Sequence, residues 1–382
     1  MRAHCLIPLV AITAFVIPLI ETPTPIAACA IAPIKGGYSV DVADETALIV
    51  WDSQTKTEHF VRTATFASTS SEFGFLVPTP TQPELGEVEP GVFTSLSTIT
   101  APKVEFRTET VKVRSSGGCG AMSSAPKSSA GAANEMAPKG PSVEVLDKKR
   151  VGDFDAVVLK ATDGAVLRKW LSDNGYDARP ELEKWLDVYT QLKWIITAFK
   201  IAANVPNAGP QTIRSSAVRM SFKTERPFYP YREPLVESPT ATPQRSRLLR
   251  LFVLADAHYE GKIGNGPAWP GQTVWSKPLD TVQATNSWAN IKLPPANSSE
   301  QKWRLSEFED RSSPRPATDE VYFSKSDNQV EVERPPTIYT NTVYVNDDSG
   351  KPIYALIGCG LIVALAGGTL LLGLWLFRRL RG

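Results

Sequence analysis

Alternating apolar and polar positions run through most of the chain and give way to two uninterrupted apolar stretches, one near each end. Ala47-Leu48-Ile49-Val50-Trp51 predicts a buried strand. A polar turn from Asp52 to Thr57 leads to a return strand from His59 to Phe66, with Phe60, Ala64 and Phe66 on one face. Phe73-Gly74-Phe75-Leu76-Val77 predicts a third strand, halted by Pro78 and Pro80, and Glu105 to Arg114 alternates as a fourth. Period-two patterning broken by Pro and Gly is what half-buried antiparallel strands produce.

From Ser115 to Ser142 the pattern disappears. Ser, Gly, Ala and Pro dominate, and Met122 and Met136 are the large apolar residues left. Such a stretch buries too little surface to offset its ordering entropy, so residues 115–142 are expected to form a flexible linker. Strand character resumes at Val143-Glu144-Val145-Leu146 and Ala156-Val157-Val158-Leu159.

The period then changes to that of a helix. Asp163 is placed to cap a segment whose Val166, Leu167, Trp170 and Leu171 form one stripe, and Asn174-Gly175 supplies a left-handed exit. A second helix opens at Pro180 and Glu181, with Leu182, Trp185, Leu186 and Tyr189 at i, i+3, i+4 and i+7. Strands follow at Trp194–Ile201, around Val218, Met220 and Phe222, and from Leu248 to Glu260, after the proline-pinned segment Arg226–Pro234. Past Leu305 the chain turns polar, and residues 306–352 read as a stalk. The fold class expected is α+β: mainly antiparallel β with an inserted helical hairpin, plus one C-terminal transmembrane helix.

The two apolar stretches fix an expected topology. Ile353 to Phe377 is long enough to cross a bilayer, since roughly 20 apolar residues suffice, and Arg378, Arg379 and Arg381 follow at once. Leu6 to Ile20 is shorter, holds Pro8 and Pro18, and precedes small residues at Ala27, Ala28 and Ala30. This is the pattern of a secretory leader over residues 1–28. With the N-terminus exported, the arginines of the tail 378–382 lie on the cytoplasmic side, as the positive-inside rule requires. A single-pass protein of the inner membrane with its bulk outside the cytoplasm is the expectation, and the bilayer is its first partner. Gly360, Ala364 and Gly368 recur every fourth residue. They form a candidate face for pairing two such helices, alongside the plainer reading that small residues are common in membrane helices.

About 320 residues remain between leader and anchor, enough for one large or two ordinary domains: a β-rich segment 29–114 and an α+β segment 143–305 around the linker. Lys and Arg total 41 against 40 Asp and Glu, so nothing points to nucleic acid or another polyanion. Of four cysteines, Cys5 falls in the leader and Cys359 in the membrane run. Cys29 and Cys119 can pair as a disulfide or stay as free thiols if cleavage follows Ala28, and Cys119 is left alone if it follows Ala30. Ile26-Ala27-Ala28-Cys29 also resembles a lipidation box, although Glu21 to Pro25 separates it from the apolar region.

Several segments in order resemble a bacterial family known as a domain of unknown function, number 2330. They are Phe73-Gly74-Phe75-Leu76-Val77-Pro78-Thr79-Pro80, the run from Val143 to Tyr189 with Asp173-Asn174-Gly175-Tyr176, and Ser221-Phe222 followed by Arg226-Pro227-Phe228-Tyr229-Pro230. The resemblance covers roughly residues 29–260. It implies an exported bacterial protein with a cysteine near the mature start, a place Cys29 would occupy. It supplies no reaction and no catalytic residues.

Candidate chemistry is sparse. Asp256, His258 and Glu260 alternate on an expected strand and would share a face, as carboxylate and imidazole ligands of a divalent cation do; the plainer reading is a polar strand end at the sheet rim. Tyr229 and Tyr231 between prolines, flanked by Arg226 and Arg232, suit a partner-binding rim, against a plain packed loop. Trp170, Trp185 and Trp194 fall on the hairpin and the strand after it and read as core rather than as an aromatic platform. No Gly-x-Ser-x-Gly elbow, zinc spacing or phosphate loop occurs, and no cofactor is implied. The expectation is a non-enzymatic binding or structural module of the cell envelope that meets another envelope protein; the alternative is a metal-dependent hydrolase built on Asp256, His258 and Glu260.

Overall fold

The computed structural model describes residues 24–25, 31–33, 40–68, 73–113, 143–176, 178, 180–201, 211–236, 247–293, 302–346 and 352–353. Most of the expected leader, Cys29, Cys119, the expected linker, Gly360, Ala364, Gly368, the apolar run after Ile353 and residues 378–382 lie outside them. No helix among the described residues is long and apolar enough to cross a membrane. The chain divides into two units, one of residues 1–98 and 128–332, the other of 99–127 and 333–382.

The described residues are mainly β-sheet, with four helices among them. In chain order the elements are β1 (Val40–Asp52), β2 (Thr57–Ser68), β3 (Phe73–Thr79), β4 (Glu84–Glu87), α1 (Val92–Ile99) and β5 (Val104–Val113). Next come β6 (Val143–Val151), β7 (Phe154–Ala161), α2 (Gly164–Asp173), α3 (Pro180–Gln191) and β8 (Ile195–Ile201). They are followed by β9 (Gln211–Arg214), β10 (Val218–Lys223), β11 (Phe228–Tyr229), β12 (Leu248–Ala255) and β13 (Tyr259–Ile263). The last are β14 (Gln272–Pro278), α4 (Thr281–Asn290), β15 (Arg304–Asp310), β16 (Val321–Lys325) and β17 (Thr337–Asn346).

In the first unit, an eight-stranded sheet runs β14-β15-β12-β1-β2-β10-β4, with β9 beside the end of β2. Its pairs are antiparallel except β12 on β1, a parallel contact between segments some 200 residues apart in sequence, Leu251 opposite Ala47. A five-stranded sheet runs Ile31–Pro33, β3, β8, β7, β6. Alternation along its strands sorts residues between two layers of contact. Phe75, Val77, Ala156, Val158 and Phe199 meet Ala47, Ile49, Phe60, Met220 and Leu251 of the larger sheet. Leu76, Leu159, Ile196 and Ala198 meet the helices instead. Burying both faces explains why these strands read as nearly continuous apolar runs.

The helical hairpin follows its sequence signals closely. The Asp163 side chain accepts from the Val166 N–H, capping α2, and Gly175 exits at φ +89. Leu167 and Leu171 of α2 join Leu182, Trp185, Leu186 and Tyr189 of α3 in one buried stripe over the sheet. Because β7 and β8 are neighbours, the hairpin is an insertion between two paired strands and covers the pair that flanks it. At Gly74 the sheet backbone and the Tyr176 ring beyond the helix exit come close together. A Cβ there would lie 2.5 Å from the Phe199 carbonyl oxygen and 2.7 Å from the Tyr176 ring. Gly74→Ala is therefore expected to destabilise by roughly 1–3 kcal/mol through overpacking, read as a lower urea midpoint with unchanged slope.

Three expectations need correction. The polar stalk does not begin at 306: β15 is an internal strand of the large sheet, and Ser306, Glu307, Phe308, Asp310, Val321 and Phe323 are buried. Its acids find partners in place: Glu307 pairs with Arg250 at 3.1 Å, and Asp310 accepts from the Tyr231 hydroxyl at 2.7 Å and the Trp269 indole N–H at 3.2 Å. The strand beginning at Leu248 ends at Ala255 rather than Glu260, and the chain bends before β13. Finally, β5 does not extend the first sheets. It belongs to the second unit, where it pairs in parallel with β17, Phe106 opposite Tyr339.

Candidate functional site

The bend at Asp256–His258 dismantles the expected row of metal ligands. Alternation requires an unbroken strand, and here each side chain finds its own partner. Asp256 accepts from the Tyr259 hydroxyl at 2.9 Å and pairs with Lys325 at 3.3 Å. Glu260 accepts from the Ser326 hydroxyl at 3.2 Å. His258 Nδ1 lies 3.0 Å from Ser306 Oγ, and its ring stacks on Phe308 with centroids 5.9 Å apart. No group of three or more His, Cys, Asp or Glu among the described residues is arranged to hold a metal ion.

What His258 joins is a buried polar tie. Ser276 and Ser306 hydroxyls are 2.9 Å apart on β14 and β15, and Arg304 Nε donates to Ser276 Oγ at 2.8 Å. The same guanidinium donates to the carbonyls of Gln329 and Val330, both at 2.9 Å. Burial, then Arg304, press the imidazole below its ordinary pKa, against Glu260. With both serines inside the fold, the cluster fastens the 329–330 segment to the sheet and offers no hydroxyl to a substrate.

The two tyrosines of the expected partner rim are likewise internal, while Arg226 is exposed and Arg232 half-buried. Tyr229 and Tyr231 are completely buried, with rings 6.1 Å from Phe60 and 6.2 Å from Trp269. Prolines hold the segment extended so that both rings face the core, and the Tyr231 phenol is satisfied by Asp310. Arg226 lies 3.8 Å over the Tyr322 ring, while Arg232 donates to Asp319 at 2.7 Å and its N–H to Glu320 at 3.2 Å. The tryptophans follow the core reading: Trp185 is buried, and Trp170 and Trp194 pack partly buried against the same cluster.

Two arrangements went unread in the sequence. On the large sheet, His59 Nδ1 sits 2.8 Å from Ser221 Oγ across β2 and β10, with the Trp288 ring edge-on at 5.6 Å. Burial first, then Arg219 and Lys223, lower this imidazole to about 4, against Asp52, so it is neutral near pH 7. A serine on a neutral imidazole is half of a nucleophilic couple. Ser221, however, lies inside β10, which is laddered to β2 on one side and β4 on the other. The nearby peptide N–H groups are thus engaged in the sheet rather than aimed at a developing oxyanion. Alternating Arg219, Ser221 and Lys223 was the available signal, but nothing local pairs them with His59.

The other is a buried ionic seam inside the sandwich. Arg62 Nε donates to Glu45 at 2.6 Å and its guanidinium lies 4.6 Å over Phe75. Arg247 donates to Glu233, and Arg315 stands 3.9 Å from Asp310 and within 3.5 Å of the Arg247 carbonyl. Three guanidinium groups match three carboxylates, all buried. Burial pushes Glu233 up to about 7 against the opposing pull of Arg247 and Arg315.

In the second unit the described apolar strand residues Val104, Phe106, Ile338 and Tyr339 are exposed. On the β5–β17 ribbon, Val104, Phe106 and Tyr339 share one face and are 54%, 81% and 56% exposed. The Phe106 and Tyr339 rings stack with centroids 5.7 Å apart and planes at 25°.

Comparison with curated proteins and with solved structures found no match to the chain. The ordered segments Phe73–Pro80, Val143–Tyr189 and Ser221–Pro230, whose roles are now explained by the Gly74 contact, the capped hairpin and the buried tyrosines, all fall inside a family match over residues 23–267. The chain belongs to the family DUF2330, described as an uncharacterized protein conserved in bacteria.

Proposed function

We propose that this protein is an exported, membrane-anchored, non-enzymatic binding or structural module of the bacterial cell envelope. The observation that carries the reading is the apolar run Ile353–Phe377 closed by Arg378, Arg379 and Arg381, behind a leader-like N-terminus. The internal commitment of the chemistry agrees with it. Both described histidines outside the leader are tied to buried or laddered serines, and the carboxylates of the Asp256 row are each bonded to a different neighbour. The Gly360, Ala364 and Gly368 spacing gives the anchor a face on which a second copy can pack.

The test is protease shaving of intact spheroplasts with carbonate extraction of the membranes. The full chain is expected in the carbonate-resistant pellet and is expected to lose most of its mass to external protease. A chain protected in intact spheroplasts and cleaved only after lysis would overturn the reading.

A further inference from the structure

We propose that the aromatic face of the β5–β17 ribbon is a membrane-docking surface, bedded in the headgroup region of the bilayer; this rests on the anchoring read above. A parallel strand pair is ordinarily covered on both faces, and a ribbon of two long strands is marginal by itself in water. Here one face carries Val104, Phe106, Thr108, Thr337, Tyr339 and Asn341, with no charged group among them. The charged residues Glu105, Arg107 and Glu109 of β5 alternate onto the opposite face. Lys112 follows on the same face near the far end of β5, and a face led by stacked aromatic rings with a lysine at its edge is the composition that residues take at a membrane–water interface.

The chain itself says which cover lies within reach. The apolar run begins at Ile353, seven residues beyond the end of β17 at Asn346. Pro352–Ile353 doubles back antiparallel to β17, with Ile353 opposite Tyr344. That return points toward the aromatic end of the ribbon: Tyr344 and Tyr339 are five residues apart on one strand, about 17 Å at the usual rise. A bilayer holding the run is therefore held beside the ribbon, and the ordering entropy of docking is met largely by the anchor.

An environment-sensitive fluorescent amino acid placed at position 106 of the full chain in phospholipid vesicles reads this directly. The same residue at position 107, on the charged face, is the reference, and carbonate resistance of the same vesicles reports anchoring separately. The probe at 106 is expected to shift to the blue and lose most of its emission to lipids brominated near the headgroup, while that at 107 does neither. Equal, weak quenching at both positions in carbonate-resistant vesicles overturns the docking surface and leaves the anchor standing. A blue shift at 106 that ignores brominated lipid and grows with protein-to-lipid ratio assigns the face to a second copy and also overturns it. Extraction of the protein by carbonate removes the anchor and this proposal with it.

Discussion

Arg62→Met is expected to cost the fold about 3–5 kcal/mol, because it leaves the Glu45 carboxylate inside the sandwich without its counter-ion. Both members are almost fully buried, Arg62 at 3% and Glu45 at 1% exposure, with 2.6 Å between Nε and Oε1. The Glu45 Oε2 atom has no hydrogen-bond partner among the described residues, so no second donor stands ready to compensate. The double variant Glu45→Gln/Arg62→Met carries no buried charge at this point and is expected to regain most of the loss, since replacing a buried pair is far cheaper than halving it. Urea unfolding of the two single variants and the double one closes a cycle whose coupling term isolates the pair. The surface pair Lys56–Glu225, with side chains 56% and 84% exposed, is the contrast: Glu225→Gln should leave the midpoint unchanged. A small loss for Arg62→Met, matching that surface control, would show that water reaches the seam.

The same seam explains which parts of the fold were legible. The hairpin could be read because its determinants are local: Asp163 and Val166 are three residues apart, and the α3 stripe lies on one helix. Fold class at the level of mainly antiparallel strands followed from period-two alternation. Pairing did not. The parallel contact of β12 with β1 joins Leu251 to Ala47, and no neighbouring residue encodes that choice.

Charge misled where it was buried. Glu307 and Asp310 made β15 look solvated, although Arg250, Tyr231 and Trp269 wait for them elsewhere in the chain. Tyr229 and Tyr231 looked like a wet rim because a phenol and flanking arginines suit an interface. The buried phenol of Tyr231 is satisfied by Asp310, 79 residues further along the chain. The α4 helix was overlooked despite a readable signal, the Asp280/Gln283 capping box. At Asp256 the misreading was of continuity: no Gly or Pro announces the bend, and the apolar run Phe252–Ala255, buried on both faces, marked a central strand ending rather than a strand continuing.

Stability is expected to fall as pH rises beyond the ordinary carboxylate value of 4.5, and Glu58→Gln should flatten that decline. Glu58 is completely buried on β2. Its Oε2 accepts the Phe228 N–H at 2.9 Å, while its Oε1 has no partner among the described residues. Burial therefore outweighs that one bond and holds the carboxyl well above its ordinary 4.5. The folded chain keeps a proton that the unfolded chain has released. The stabilisation is complete where both states are protonated and is lost as pH climbs through the folded value, with a limiting slope of about 1.4 kcal/mol per pH unit for each proton retained. Burial moves Glu320 the same way, against its bonds from Tyr189 and the Arg232 N–H, and Glu233 adds its own loss around 7.

The histidines oppose this, but only at lower pH. His59, lowered to about 4, loses stability for the fold as pH drops below its ordinary 6.5, because the unfolded imidazole then takes a proton that the folded one refuses. Above that value the carboxyls act alone, which makes the alkaline arm the informative one. Glu58→Gln keeps the acceptor for Phe228 and removes the ionisation, so it should match the parent chain in acid and exceed it at the alkaline end. Chemical denaturation across the series measures both arms. Parallel curves for the two proteins would mean that Glu58 is already ionised in the native state, and that the sandwich admits a counter-ion or water beside Phe228.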